Sequence, residues 1–264
     1  METNKNYNLG CLELMGRMED DFVDLTVTSP PYDNLRSYCG YDFDFERIAG
    51  ELFRVTKDGG VVVWVVGDAT KNGSETGTSF RQALHFIDVG FRLHDTMFYE
   101  KAGMSAPSNN RYHNVVEYMF ILSKGTPNAF NGIKDRKNRW TQRFGKPTRR
   151  QKDGSLKHER DNNFTPFGLR FNIWRYNTGY GYSATDDVAY EHPAIMPEKL
   201  AADHIKTWSN EGDLVYDPFA GSGTTLKMAH LLNRKWLGSE VSEEYCALID
   251  KRMDGHIKQM IMPC

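Results

Sequence analysis

Short apolar runs alternate with helically spaced apolar positions along most of the chain. Residues 22–28 and the unbroken apolar run 61–66 predict strands, and the second is typical of a central strand covered on both faces. An amphipathic helix is predicted between them, ending at Asp58-Gly59-Gly60 because glycine pairs commonly stop helices. Its apolar positions recur every three or four residues: Phe45, Ile48, Ala49, Leu52 and Phe53.

The same rhythm continues on both sides of an irregular middle stretch. A helix through Phe80, Ala83, Leu84 and Ile87 is followed by predicted strands at 93–99 and 115–122. Beyond the stretch we predict helices over 198–208, from 225 and from 243, and strands at 214–216 and 236–239. This pattern predicts one doubly wound α/β sheet interrupted by an insertion. We place the core at 1–102 and 186–264 and the insertion at 103–185, whose first strand, about 115–123, could belong to the core sheet.

Length and composition set the class of protein. A chain of 264 residues can form one large domain, or a core with an insertion. It has no apolar run long enough for a membrane span, and its N-terminus lacks the apolar centre of a signal peptide. The four cysteines are scattered, without a Cys-x-x-Cys pair. We therefore expect a cytoplasmic protein with no membrane partner and no metal.

The charge distribution changes this picture, although the net charge is only −2. Residues 131–170 hold twelve Lys and Arg against four Asp and Glu, a local charge of +8, with aromatic residues interleaved. Such a segment suits a phosphate backbone and unstacked bases, and a solvated, partly disordered loop is the alternative. The candidates for phosphate contacts are Arg136, Lys137, Arg139, Arg143, Arg149 and Arg150.

The first predicted strand ends in a stiff corner, Ser29-Pro30-Pro31-Tyr32. Proline fixes φ and has no N–H for a sheet ladder, so the strand cannot continue. The corner is either an ordinary turn that ends the strand or a rigid segment that holds the Ser29 hydroxyl and the Pro30 carbonyl in fixed directions for a ligand.

A second feature is the glycine loop "DPFAGSGTT", residues 217–225, between a predicted strand and a predicted helix. Gly221 and Gly223 allow a sharp turn and close approach of a ligand to the backbone. No Gly-Lys-Ser/Thr follows, which excludes a P-loop. Glu240 ends the next strand, seventeen residues after Gly223, where an acid can bind ribose hydroxyls. The alternative is a glycine turn and a helix-capping acid without a ligand.

These motifs together resemble a known family. Thr-Ser-Pro-Pro-Tyr, then "HPAIMPEKLAADHI" from His192, then the glycine loop is similar to the β class of S-adenosylmethionine-dependent DNA amino-methyltransferases. The resemblance implies a circularly permuted, Rossmann-like methyltransferase fold with a mostly parallel seven-stranded sheet. It makes the basic insertion a target-recognition region and double-stranded DNA the substrate.

The family also implies roles for the corner. An exocyclic amino nitrogen is a weak nucleophile because its lone pair is delocalised into the ring. Ser29 Oγ and the Pro30 carbonyl would accept its hydrogens, Pro31 would hold that carbonyl in direction, and Tyr32 would stack on the base. The target base must leave the duplex first.

The resemblance assigns a cofactor site for S-adenosylmethionine, whose product is S-adenosylhomocysteine. Glu240 would hold the ribose, and Thr224 and Thr225 would cap the following helix. The remaining candidates are the loop Asp217, Pro218, Phe219, Ala220, Gly221, Ser222 and Gly223, with His192, Pro193 and Ala194 near the amino-acid end. Family members often carry Gly-Asp near the N-terminus, facing the adenine; this chain departs from them, with Cys11 in the acid's place.

The serine before Pro-Pro and the "HPAxMP" form favour N4 of cytosine, and N6 of adenine is the alternative. A non-catalytic DNA-binding protein on the same fold is a rival of another class, as is an RNA or protein-amide methyltransferase. Methylation at C5 of cytosine needs a thiolate nucleophile, typically in a Pro-Cys pair. It is disfavoured because the sole Pro-Cys pair is 263–264, at the chain end. A homodimer and a companion restriction endonuclease are the further partners that the resemblance suggests.

Overall fold

The structure is a computed structural model that describes residues 1–31, 43–103, 110–139, 148–158 and 165–261, with residues 256–261 described by backbone only. The chain divides into two compact units, described separately below. The core unit comprises Met1–Asn131 and Asn172–Cys264, and the small unit comprises Gly132–Phe171. This division differs from the predicted insertion of 103–185, because residues 103–131 and 172–185 belong to the core unit. None of the described helices is long and apolar enough to cross a membrane.

Most predicted strands form within two residues of the expected bounds. The first strands of the core unit are β1 (Lys5–Tyr7), β2 (Val23–Thr28), β3 (Thr56–Val66), β4 (Thr70–Lys71), β5 (Ser74–Glu75), β6 (Arg92–Lys101) and β7 (Val116–Ser123). The small unit contains β8 (Arg136–Lys137), β9 (Thr148–Arg150), β10 (Leu156–His158) and β11 (Phe167–Gly168). The core unit continues with β12 (Ile173–Tyr176), β13 (Leu214–Asp217) and β14 (Lys235–Ser239).

The described helices all belong to the core unit. They are α1 (Cys11–Met15), α2 (Phe45–Val55), α3 (Thr78–Val89), α4 (Glu198–Trp208), α5 (Thr224–Leu231) and α6 (Glu243–Ile261), with a 3₁₀ helix at Asp187–Glu191. The predicted helix 198–208 forms with those bounds, and the helices predicted from 225 and 243 begin at Thr224 and Glu243.

One large sheet organises the core unit, in the order β1-β14-β13-β2-β3-β7-β6-β12. All its strands run parallel except β7, which is antiparallel to both of its neighbours. The mostly parallel α/β fold is therefore confirmed, but in the described part of the chain the sheet has eight strands and not seven. Two of them, β1 and β12, are absent from the strands that the sequence pattern predicts. The strand β12 lies inside the predicted insertion and pairs in parallel with β6.

The helix α2 ends at Val55, before the predicted stop at the glycine pair. Thr56 Oγ1 donates to the Leu52 carbonyl (2.6 Å) and closes the helix, and β3 then runs through both glycines. A Cβ at Gly60 would lie 3.0 Å from the Asp24 carbonyl of β2, so the glycine permits close strand pairing. The glycine pair therefore serves a strand irregularity, not a helix end.

Helices cover both faces of the sheet. One face packs Trp64, Val62 and Phe120 against α1, α2 and α3 in a continuous apolar core. On the other face α4 lies against the central strands, with His204 Nε2 3.1 Å from Met119 Sδ of β7. Because β2, β3, β13 and β14 are parallel, the loops after them meet at one edge of the sheet, where α/β proteins place their ligands.

Candidate active site

A cavity of about 1160 Å³ opens at this edge of the core unit. It brings together the proline corner and the glycine loop, which are almost 190 residues apart in sequence. The predicted residues that line it are Cys11, Ser29, Pro30, Pro31, His192, Pro193, Ala194, Asp217, Pro218, Phe219, Ala220, Gly221, Ser222, Thr224, Thr225 and Glu240. Gly223 is not among the lining residues, and Tyr32 lies outside the described residues.

Two hydrogen bonds join the strand before the corner to the glycine loop and its helix. Thr28 Oγ1, at the end of β2, donates to Asp217 Oδ1 at 2.7 Å. Thr225 Oγ1 of α5 donates to the Val27 carbonyl at 3.1 Å. Both bonds are buried, so the position of Ser29 is fixed relative to Asp217.

Asp217 is a buried acid, 4% exposed, at the carboxyl end of β13. Burial raises its pKa to about 6, against the opposing effect of hydrogen bonds from Thr28, the Phe219 N–H and Thr225. No described Lys or Arg forms an ion pair with it, so its charge is stabilised only by neutral donors. Such a carboxylate suits a ligand that brings N–H groups or positive charge.

Glu240 follows β14 and lines the cavity beside the loop. Its Oε2 accepts from the Gly221 N–H (2.9 Å) and its Oε1 from the Ser242 N–H (2.9 Å). Burial raises its pKa, and these backbone donors oppose the rise. Each carboxylate oxygen retains a second lone pair, which a ligand hydroxyl could use.

The glycine loop has the backbone that only glycine adopts readily. Gly221 has φ +50°, and a Cβ there would lie 3.1 Å from His192 Nε2. Gly223 has φ +75°, and its Cβ would lie 3.0 Å from Ile249 of α6. His192 also packs edge-on against Tyr245, with ring centroids 4.4 Å apart. The close packing of His192 on Gly221 shows why the "HPAIMP" segment and the loop occur together.

One detail of the predicted site, the cap of α5, differs in the structure. The N-cap of α5 is Gly223, with no side-chain hydrogen bond, so Thr224 and Thr225 do not cap the helix. Instead Thr224 Oγ1 lies 3.2 Å from Ser222 Oγ, and Thr225 bonds to β2 as described above. At the N-terminus of α1, Cys11 does line the cavity, and burial raises the pKa of its thiol to about 11.

A buried network of charges supports the loop from behind, and sequence reasoning missed it. Lys227 Nζ donates to Asp186 Oδ2 (2.7 Å) and Glu198 Oε1 (2.6 Å). Arg252 donates to the same two carboxylates, at 3.0 Å each, and to the Ser222 carbonyl in the loop. Both cationic side chains are 1% exposed. The signal that could have found it is a charged lysine in the otherwise uncharged start of α5, "TTLKMA".

In the small unit the predicted cations fall into two groups. Arg136 is occupied internally: its Nε donates to the Leu169 carbonyl (2.9 Å) and its guanidinium lies 4.8 Å from the Phe171 ring centroid. The exposed cations are Lys137, Arg139, Arg149 and Arg150. Arg143 lies outside the described residues.

The geometry agrees with comparisons to known proteins. The family model described as "DNA methylase" matches residues 23–251. Orphan methyltransferase M.BamHII of Bacillus amyloliquefaciens is 58% identical over 241 residues, covering 90% of this chain and 91% of the relative. DNA adenine methyltransferase YhdJ of Escherichia coli K12 is 28% identical over 251 residues, covering 88% and 76% respectively.

A solved structure, the PvuII DNA methyltransferase (cytosine-N4-specific), has the same fold. It superimposes with a TM-score of 0.69 at 21% identity, covering 96% of this chain and 86% of that one. The family match covers most of the chain, including the proline corner, the glycine loop and Glu240. The chain therefore belongs to the DNA methylase family of amino-methyltransferases, whose methyl donor is S-adenosylmethionine.

Proposed function

We propose that this DNA methyltransferase transfers a methyl group to the exocyclic amino group of a base extruded from duplex DNA at specific sites, with N4 of cytosine preferred. One observation carries the proposal. Ser29, Pro30 and Pro31 line the same cavity as the glycine loop, and the Thr28–Asp217 hydrogen bond ties the two segments together. Acceptors for an amino group therefore lie beside a pocket for a methyl donor.

The corner supplies hydrogen-bond acceptors in a fixed geometry. Ser29 Oγ and the Pro30 carbonyl would take the two amino hydrogens and favour a more tetrahedral, more nucleophilic nitrogen. The consecutive prolines limit the backbone freedom of the corner, so little ordering is required when a base arrives. Transfer then depends on positioning and needs no covalent enzyme intermediate.

The loop side fits the donor that the family uses. S-adenosylmethionine supplies an electrophilic methyl group on a positively charged sulfur. Asp217 is buried without a described cation beside it and Glu240 retains lone pairs on both oxygens, which suits a ligand with positive charge, N–H groups and ribose hydroxyls. The absence of a side chain at Gly221, where φ is +50°, lets His192 pack against the loop at the cavity wall.

Ser29→Ala tests the clamp. Loss of the hydroxyl should lower the rate of tritiated methyl transfer to plasmid DNA on the order of 100-fold or more, since one positioned polar group is often worth that much. DNA binding, measured by fluorescence anisotropy, should change little. Ser74→Ala, in the exposed β4–β5 hairpin, is the matched control. Full activity of Ser29→Ala would contradict the clamp. A wild-type protein that binds DNA but transfers no methyl group would favour the rival non-catalytic function.

The preference for cytosine rests on Ser29 before Pro-Pro and on the "HPAIMP" form of the 192–197 segment. The name of the PvuII enzyme indicates N4-cytosine and that of YhdJ indicates adenine, so similarity supports either base. Mass spectrometry of nucleosides from treated plasmid DNA decides between them. N4-methylcytosine is expected; N6-methyladenine alone would reverse the preference and leave the clamp intact.

We propose 103–185 as the target-recognition region, with phosphate contacts from the exposed cations of the small unit. Each phosphate contact adds roughly −0.9 to the slope of log affinity against log salt. Arg149→Glu with Arg150→Glu should therefore weaken DNA binding and flatten that slope. Arg92→Glu with Lys235→Glu is the control, since both lie at the amino ends of strands, away from the cavity edge. Equal slopes of log affinity against log salt in the two double variants would contradict the assignment of phosphate contacts to Arg149 and Arg150.

A homodimer and a companion restriction endonuclease remain proposals from the family resemblance. Light scattering after size-exclusion chromatography tests the first, because a monomer has a mass of 30.3 kDa. A mass near twice that value is expected.

A further inference from the structure

The cavity extends well beyond the cofactor loop. Pockets for one small ligand are commonly about 300–1,000 Å³, and this cavity of about 1160 Å³ exceeds that range. In the sheet β2 separates β13 and β14 from β3, β7 and β6. The proline corner follows β2, so it divides the cavity edge into a loop side and a second side. The lining residues on the second side include Val65 of β3, Glu117 of β7 and Tyr99 of β6.

Tyr99 is the unusual member of this second side. Its side chain is only 3% exposed, yet it lines the cavity. Its hydroxyl forms no hydrogen bond within the described ranges of the chain, and it is not one of the fully buried polar atoms that lack a partner, so it keeps contact with the cavity. Its ring is held by packing, with the Tyr176 ring centroid 6.0 Å away. The hydroxyl is therefore positioned by the protein and left for a ligand.

The residue opposite Tyr99 on the neighbouring strand is an acid. Glu117 of β7 lies directly opposite Tyr99, and Lys101 Nζ donates to Glu117 Oε1 at 2.9 Å. Burial, and then the charge of Glu117, raise the pKa of Tyr99 well above its usual value. A tyrosine hydroxyl keeps its proton at neutral pH even at its usual pKa, and the rise only widens that margin, so the phenol can donate a hydrogen bond.

We propose that Tyr99 binds the extruded base, its hydroxyl donating to a ring nitrogen or carbonyl oxygen beside the amino group that Ser29 and Pro30 hold. The inference rests on the proposed function. Contacts to the amino group alone hold the base at one point of its edge. A further polar contact on the ring edge fixes the in-plane orientation of the base more closely, which matters because in-line transfer depends on orientation. Both candidate bases carry such an acceptor: N3 or O2 of cytosine, and N1 of adenine.

Tyr99→Phe tests the proposal, because it removes only the hydroxyl and keeps the ring packing. The matched control is Tyr118→Phe. Tyr118 lies in β7, but its ring packs against Phe80 of α3, on the opposite face of the sheet (centroids 5.0 Å apart). Methyl transfer from tritiated S-adenosylmethionine to plasmid DNA gives kcat and KM for each substrate. Tyr99→Phe should lower kcat/KM for DNA about 10-fold, as expected for one lost hydrogen bond. KM for S-adenosylmethionine and the melting temperature should stay within error of wild type.

The outcomes separate this inference from the proposed function. If wild-type protein transfers no methyl group to DNA, the proposed function itself fails. If wild-type protein is active and Tyr99→Phe behaves like Tyr118→Phe, Tyr99 does not bind the base. A variant that loses S-adenosylmethionine affinity and thermal stability together with activity would also overturn the inference, because it would show a structural role only.

Discussion

Two acids of the core unit, Asp186 and Asp217, meet opposite electrostatic environments. Burial alone would raise the pKa of Asp186, but hydrogen bonds and charge from Arg252 and Lys227 hold it at about 2. Among the described residues Asp217 has only hydroxyl and N–H donors around it, and burial raises its pKa to about 6. The charge of Asp186 is thus paired with cations, while that of Asp217 has no described cation beside it.

The contrast distinguishes an acid that helps to hold the glycine loop in place, Asp186, from an acid that is available to bind a ligand, Asp217. Arg252 connects Asp186 to the Ser222 carbonyl, so the satisfied network holds the glycine loop in place from behind. Asp217 lines the cavity at the front of the same loop. A buried carboxylate without a cation beside it costs stability, and such costs commonly occur where a ligand will supply the missing charge. The comparison predicts that variants on the two sides will have opposite effects on stability and on cofactor binding.

The largest effect is expected for Arg252→Met. It leaves the buried Glu198 and the partly buried Asp186 with one cation, which should lower the free energy of unfolding by about 3–5 kcal/mol. The melting temperature should fall by roughly 10 °C, as measured by differential scanning calorimetry. Lys251→Met is the control: it is the adjacent residue, 62% exposed, with a single 3.4 Å ion pair to Glu191. A melting temperature equal to that of the control would show that the network contributes nothing.

The next largest effect is on the free energy of unfolding at pH 7, which Asp186→Asn and Asp217→Asn should change in opposite directions. The pKa of Asp186 is lowered on folding, so its contribution is present above about pH 4 and is lost as pH falls from about 4 to 2. Its removal at pH 7 should therefore cost about 2 kcal/mol. The pKa of Asp217 is raised on folding, so its ionised form opposes folding above about pH 6. Asp217→Asn should leave stability unchanged or raise it, by up to about 3 kcal/mol.

Urea unfolding of both variants at pH 7 measures this difference. Cofactor affinity should follow the reverse order, with Asp217→Asn losing more than Asp186→Asn. If both variants were destabilised equally, the distinction between a supporting acid and a binding acid would not hold.

The supporting side is also the part that the sequence predicts least well. The core strands and helices can be predicted from the pattern of apolar residues, because each apolar run or helix face must be buried against another apolar surface. The motifs at 29–31 and 217–225 follow from backbone chemistry, since proline and glycine restrict or extend φ locally. The pairing of Arg252 with Asp186 spans 66 residues and depends on how α6 lies against the 3₁₀ helix, which no local pattern specifies.

Further differences between prediction and structure have similar causes. The four residues of β12, Ile-Trp-Arg-Tyr, include strand-favouring residues, but the run is too short to predict a strand by itself, and it forms one by pairing with β6. In sequence Tyr99 is one residue of an ordinary strand, since its missing hydrogen-bond partner is visible only in three dimensions. Gly59-Gly60 predicts a helix end and instead lies in a strand, because glycine marks both helix ends and close strand contacts.

A third prediction concerns the pH dependence of cofactor binding. If the ligand needs ionised Asp217, affinity should be constant above about pH 7 and should fall below about pH 6, at most tenfold per pH unit. Isothermal titration calorimetry with S-adenosylhomocysteine between about pH 5 and 8 measures the midpoint. Asp217→Asn should abolish the pH dependence of affinity. Glu240→Gln should weaken binding at every pH but leave the midpoint of the pH dependence unchanged. A midpoint that survives in Asp217→Asn would assign the titration to another group.

The smallest expected effect is a shift of that midpoint in Thr28→Val. The Thr28 hydroxyl donates to Asp217 at 2.7 Å and stabilises its charged form, so its loss should raise the pKa of Asp217 further above 6. One such bond is worth about 1 kcal/mol, which corresponds to a rise of roughly 0.5–1 pH unit in the midpoint. Thr26→Val is the matched control, since its buried hydroxyl, two residues earlier in β2, has no partner among the described residues. A midpoint that moves equally in both variants, or moves toward acid in Thr28→Val, would show that the bond from β2 does not set the charge of Asp217.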